Sequence, residues 1–177
     1  MPSAEFRRLA EERRFDSRVF VVDTVHLEDP DGQPFDRDLV RHPGAVAVIP
    51  LHADGTVTLV RQFRASVMQE ILEAPAGTCD AEGESLEDTA RRELVEEAGL
   101  AAGQLRKLAA VRNSPGFCDQ LTTIFLATDL TAVPTAREGV EEQWMSVVRL
   151  PLAEVAAMVA DGRVVDETTA LGVLLAR

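Results

Sequence analysis

Glu93, Glu96 and Glu97 crowd into the segment "RRELVEEAGL", residues 91–100, just ahead of Gly99. Like charges at i,i+3 and i,i+4 destabilise a helix by about 0.2–0.5 kcal/mol per pair, so the cluster calls for a compensating partner. At about 100° per residue the three carboxylates span an arc of about 100°. Leu94, Val95 and Ala98 lie on a different arc and can face a core. Hard divalent cations take oxygen ligands and bind phosphates at the same time, and carboxylates one helical turn apart suit that task. The same residues would also make a solvated acidic face, so the flanks must decide. Ser85 can cap the helix, with Asp88 at N3 as a weak capping box, and Gly99 suits the C′ position.

Read with its flanks, the segment is Gly77, six residues, Glu84, seven residues, then Arg92-Glu93-Leu94-x-Glu96-Glu97-x-Gly99-Leu100. It resembles the Nudix box, usually written G-x5-E-x7-R-E-U-x-E-E-x-G-U with U a bulky aliphatic. Every named position matches. One additional residue stands in the loop "TCDAEG", where an insertion is better tolerated than in a helix. The resemblance implies an α+β protein with the Nudix fold, an α-β-α sandwich around a mixed sheet. It also implies Mg²⁺- or Mn²⁺-dependent hydrolysis of a nucleoside diphosphate linked to another moiety. By position, Glu93 and Glu97 would be metal ligands, with Glu96 sharing that role and the carbonyl of Ala76 completing the set. Arg92 would orient the glutamates, and Glu84 would support the loop or a second metal. Metal bridging pyrophosphate oxygens would activate a water and stabilise the leaving phosphate.

Outside the box, "VRQFR", "EILEAPAG" and "VRHPGAVAVIPL" resemble the ADP-ribose pyrophosphatase branch, as does Pro115, fifteen residues after Leu100. That branch implies ADP-ribose or a related nucleoside diphosphate sugar as substrate, with AMP and a sugar phosphate as products. Arg64 would lie near the substrate phosphates, with Arg41, Thr78 and Pro115 also binding substrate. Arg41 stands where family members bring a side chain from a partner subunit. Taken singly, Arg64 could be a strand-end arginine and Pro115-Gly116 an ordinary turn. Many members of the branch carry a glutamate five residues after the loop proline, as general base or water-positioning group. Here that residue is Gln120, which can orient water but cannot accept a proton at neutral pH. Asp119, a carboxylate among Glu138, Glu141 and Glu142, or a box glutamate could substitute. A ligand-binding Nudix module with little turnover, or a hydrolase of another nucleoside diphosphate derivative, is the rival reading.

The elements that must position these residues follow from pattern. Residues 3–13 read as a short polar helix or arm. "RVFVVDTVHLED" alternates like a half-buried strand, followed by the turn "PDGQPF". "RDLVRHPGAVAVIPL" and "TVTLVRQFR" are strands parted by "HADG", a hairpin-type signal. "VMQEILEAPAG" is a strand running into a loop, and residues 86–98 are helical. Strands follow at "LRKLAAVRN", "LTTIFLATDL" and "EEQWMSVVRL". Two helices close the chain, the second capped by Asp166. Residues 1–43 are expected to form an arm and small antiparallel sheet for homodimerisation, with residues 17–45 at the interface. Residues 44–177 are expected to form the hydrolase domain.

Composition narrows the partners. Net charge is −12, and residues 77–100 carry eight acidic side chains against two arginines. Such a surface repels nucleic-acid backbones, and it takes a divalent cation and local arginines to admit a phosphorylated substrate. No apolar stretch reaches bilayer length and no signal peptide is visible, so no membrane partner is expected. Cys79 and Cys118, in no metal-ligand spacing, suit a reduced cytoplasmic protein. His26, His42 and His52 show no ligand pattern. Trp144 is expected in the core.

Overall fold

The computed structural model of the chain describes residues 5–135 and 142–177. The strands are β1 (Arg7–Asp16), β2 (Val21–Glu28), β3 (Pro34–Arg41), β4 (Ala45–Pro50) and β5 (Thr56–Arg64), then β6 (Gln69–Glu73) and β7 (Ala76–Thr78). After helix α1 (Leu86–Ala98) come β8 (Leu100–Arg112), β9 (Leu121–Ala132), β10 (Ser146–Pro151), α2 (Leu152–Ala160) and α3 (Glu167–Leu175). Among the described residues three sheets result, ordered β1-β2-β3, β10-β5-β6 and β7-β4-β9-β8. In the last, β4 runs parallel to β9 and antiparallel to β7, so the sheet is mixed. Two compact units divide the chain. One runs up to Gly44 and includes Arg112–Leu121, and the other comprises Ala45–Val111 and Thr122–Arg177.

The larger unit is the α-β-α sandwich. Successive residues of a strand point to opposite faces, and β4 and β9 are apolar on both. Val46, Val48, Phe125 and Ala127 pack with Ala90, Leu94 and Ala98 of α1. Ile49, Ile124 and Leu126 face the other way and pack with Val155, Ala156 and Met158 of α2 and Val173 of α3. Contact there is close: a Cβ on Gly172 would lie 2.7 Å from Ile49 Cδ1. Helix α1 begins where the Ser85 side chain accepts from the Asp88 N–H, and ends where Gly99 turns left-handed at φ 65°. A side chain at 99 would also meet the Val133 carbonyl at 2.9 Å. Asp166 caps α3, accepting from the Thr169 N–H at 2.7 Å.

The smaller unit holds the antiparallel β1-β2-β3 sheet. Here the expected polar helix or arm is, from Arg7 onward, a wholly exposed strand. Its Arg, Leu, Ala and Glu residues favour a helix in isolation, but cross-strand partners override that preference. Arg13 pairs with Asp23 at 2.6 Å, Arg14 donates to Thr24 at 2.8 Å, and Arg7 pairs with Glu28. The stretch expected as one strand over "RDLVRHPGAVAVIPL" is two, β3 and β4, broken at Gly44 with φ 102°. Trp144 is not in the core: it is 83% exposed, at the end of the short 3₁₀ turn Glu142–Trp144. Val95 is half-buried rather than core.

Candidate active site

Arg92 answers the repulsion on α1. Its Nη1 donates to Glu93 Oε1 at 2.7 Å and to Glu96 Oε2 at 3.0 Å. Its Nε and Nη2 fork onto the two oxygens of Glu84, each at 3.2 Å. One guanidinium therefore gathers three carboxylates, two from its own helix and one from the preceding loop. Thr89 Oγ1 donates to Glu84 Oε2 at 2.9 Å and fixes the loop carboxylate from a second side. The Arg92 and Thr89 hydrogen bonds hold the Glu84 pKa below its ordinary value. In return, the Glu84 hydrogen bond and the charge of Glu93 raise that of Arg92.

Glu97 takes a different direction. It is 5% exposed, and its Oε2 accepts from the Ala76 N–H of β7 at 3.0 Å. The helix and the strand before the box are thereby tied at the residue whose carbonyl is the expected metal ligand. Gly77 explains itself here, because a Cβ would lie 2.0 Å from Glu93 Cδ and Oε1. Only glycine leaves room for that carboxylate. Thr78, half-buried, ends β7 opposite Ala45. Among the described residues no three His, Cys, Asp or Glu side chains are gathered around a common metal position; Glu84, Glu93 and Glu96 point to Arg92 instead. The donor chemistry fits a hard divalent cation all the same. Glu93, Glu96, Glu97 and the Ala76 carbonyl offer only oxygen, and the Gly77 cradle keeps Glu93 against the strand that carries that carbonyl.

Arg64 ends β5 and is anchored by Glu73, the second glutamate of "EILEAPAG". Its Nε donates to Glu73 Oε1 at 3.1 Å and Oε2 at 2.9 Å. Gln62 Nε2 donates to Glu73 Oε2 at 2.6 Å. Glu73 is buried, and burial pushes its carboxyl pKa up although Arg64 opposes the shift. A signal for Glu73 exists in the register: it stands opposite Val60 in the β5–β6 pair, on the face that also carries Gln62 and Arg64.

In the smaller unit, Arg41 is held within its own chain. It bonds Glu11 Oε1 through Nε at 3.0 Å and Nη2 at 2.5 Å, and Asp119 Oδ2 through Nη1 at 3.2 Å. Asp119 also accepts the His42 N–H at 2.9 Å. Its carboxylate thus has a positioning job, which weakens it as a substitute base. Arg41 and Pro115 line one depression of 380 Å³ with Leu39, Arg112, Cys118 and Asp119. Gln120 is half-buried beside it in sequence, its N–H directed at Cys118 Sγ at 3.5 Å. Glu138 and Glu141 lie outside the described residues, as does the side chain of Glu142. A larger depression, 720 Å³, is lined by residues such as His52, Asp54, Asp129 and Arg149 and contains none of the expected site residues.

The profile of the NUDIX domain matches residues 41–166. The chain is 36% identical over 173 residues to the ADP-ribose pyrophosphatase of Bacillus subtilis (strain 168), covering 98% of this chain and 93% of that one. It is 33% identical over 169 residues to the methanol dehydrogenase activator of Bacillus methanolicus, covering 96% and 91%. A crystal structure described as an ADP compounds hydrolase superposes with a TM-score of 0.84 at 27% identity, covering 98% of this chain and 92% of that one.

Proposed function

This chain belongs to the NUDIX family, and we propose that it hydrolyses the pyrophosphate bond of ADP-ribose or a related nucleoside diphosphate sugar, releasing AMP and a sugar phosphate. The observation that carries this reading is the Arg92 junction, which assembles Glu84, Glu93 and Glu96 while Glu97 is tied to Ala76. A complete carboxylate array of this kind has no evident use in a module that only binds ligand. Relatives named for ADP-ribose and ADP compounds support the substrate class.

Glu93, Glu96, Glu97 and the Ala76 carbonyl would hold the divalent cation. When bound, Mg²⁺ or Mn²⁺ supplies positive charge to the pyrophosphate oxygens and lowers the pKa of an attacking water. Arg92 keeps the carboxylates oriented, so little reorganisation is left for the reaction. Arg64 offers its guanidinium to the phosphates, and Thr78, Arg41 and Pro115 complete the substrate contacts. Gln120 orients water without taking its proton. AMP release from ADP-ribose in the presence of Mg²⁺, lost almost entirely in Glu97→Gln, tests the reading. A mutant as active as the parent would remove the metal assignment. A panel of ADP-ribose, ADP-glucose, GDP-mannose and NADH would set the sugar preference.

Residues 1–43 serve as a dimerisation arm and residues 44–177 as the hydrolase domain in this reading, with residues 17–45 at a homodimer interface. Light scattering at micromolar concentration would give twice the 19.2 kDa chain mass; a monomer would contradict it. Among the described residues no helix is long and apolar enough to cross a membrane. The net charge of −12 disfavours nucleic acid, and the free Cys79 and Cys118 suit a reducing cytoplasm.

A further inference from the structure

A carboxylate sealed inside a sheet costs free energy unless paired, and Glu73 is 6% exposed. Both its oxygens are committed to two side chains of β5, Gln62 through Oε2 and Arg64 through both. Arg64 uses only Nε for this. Its two Nη groups take no protein partner among the described residues, and its side chain is 40% exposed. A guanidinium gripped by Nε is fixed in direction while its outer N–H groups stay available for phosphate oxygens, which they can bind as a fork.

Glu73 also opens a run of four residues whose backbone is tied at every step. The Ala74 N–H donates to Thr169 Oγ1 at 2.7 Å, and that hydroxyl donates to Asp166, the cap of α3, at 2.6 Å. The Pro75 carbonyl accepts from the Val48 N–H at 2.8 Å. The Ala76 N–H donates to Glu97 at 3.0 Å. The side chain that grips Arg64 and the amide that grips Glu97 are thus three residues apart on one pinned segment.

We propose that Glu73 is a positioning residue for the hydrolysis, aiming Arg64 at the substrate pyrophosphate from the same segment that anchors Glu97. It rests on the reading of Arg64 as a phosphate ligand. A purely structural carboxylate would predict something else, namely a loss of stability with unchanged substrate affinity.

Glu73→Gln is the informative variant. Burial favours the uncharged form at this position, so the near-isosteric amide suits the fold, and a melting curve checks this. The variant should raise KM for ADP-ribose about tenfold, as expected for losing a charge-assisted hydrogen bond, with little change in kcat or in the Mg²⁺ concentration for half-activation. Arg64→Ala should raise KM at least as much, and the double variant no more than Arg64→Ala alone, because the two act as one unit. Calorimetric binding of ADP-ribose in EDTA repeats the comparison without turnover. An unchanged KM in Glu73→Gln beside a raised KM in Arg64→Ala, or additive effects in the double variant, would overturn the role of Glu73 alone. An Arg64→Ala variant with unchanged KM and binding would overturn both assignments. Coupled binding losses without any AMP release would leave Glu73 in place and sink the hydrolysis.

Discussion

The carboxylate of Glu93 lies against Gly77, so close that a Cβ on residue 77 would be 2.0 Å from its Cδ and Oε1. Gly77 is not among the residues with positive φ, so its backbone would accept alanine; the side chain is what does not fit. Gly77→Ala is therefore expected to keep the fold and displace Glu93. Misplacing a ligand by about 1 Å can cost about 10²-fold in rate. The check is kcat for ADP-ribose beside a melting curve. Full activity in a folded Gly77→Ala protein would show that Glu93 can work from elsewhere.

Arg92→Lys preserves the charge and removes the fork. A single ammonium cannot reproduce the paired 3.2 Å contacts to Glu84 together with those to Glu93 and Glu96. The carboxylates should repel one another and lose their common orientation. We expect kcat/KM to fall by roughly 10²-fold, the scale of lost electrostatic preorganisation, and half-activation to need more Mg²⁺. Activity within a few-fold of the parent would mean that charge alone suffices.

His26 gives the smaller unit a pH-dependent strand pair. Its Nδ1 lies 2.7 Å from Asp36 Oδ1 on β3 and its Nε2 lies 3.5 Å from Glu12 on β1. The Asp36 hydrogen bond, with the charges of Asp36 and Glu12, raises its pKa above 6.5 against the opposing effect of desolvation. A raised folded pKa means stabilisation fully present below the unfolded value of 6.5 and lost as pH rises through the folded value. Amide exchange in β2 should accelerate over that range more than in a His26→Gln variant. The effect is small because the pair is solvent-exposed. Parallel pH profiles in the two proteins would exclude His26 as the cause.

Much of the larger unit is legible in the sequence because its signals are local. Ser85, Gly99 and Asp166 mark helix ends by their own chemistry, and the short apolar runs within β4 and β9 suit strands covered on both faces. The box residues are visible by spacing alone. What spacing cannot supply is direction: Glu97 turns to Ala76 while Glu93 and Glu96 turn to Arg92. β1 reads as a helix or arm because its helix-forming residues find their partners on β2, a preference no local window contains. Trp144 suits the core by residue type, and type does not decide burial on a short turn. Glu73 belongs to the quoted stretch "EILEAPAG", but its burial and partners are hidden for a similar reason, since a carboxylate reads as surface until the strand register places it beside Gln62 and Arg64.

Gln120 stands where the resembling branch carries glutamate, and the neighbouring carboxylate does not simply replace it. Asp119 holds Arg41 and the His42 amide, at 3.2 Å and 2.9 Å. Asp119→Asn should therefore act mainly on KM, through a loosened Arg41, and leave kcat nearly intact. Gln120→Glu restores a proton acceptor, and general-base assistance is typically worth about 10²–10⁴-fold. We expect a clear rise in kcat for ADP-ribose, with a new limb in the pH–rate profile on the acid side, where the introduced carboxylate would be protonated. The gain should be absent in a Glu97→Gln background, because the base has nothing to act on without the metal-binding array. An unchanged kcat in Gln120→Glu, together with a collapse of kcat in Asp119→Asn, would reverse these roles and make Asp119 the base.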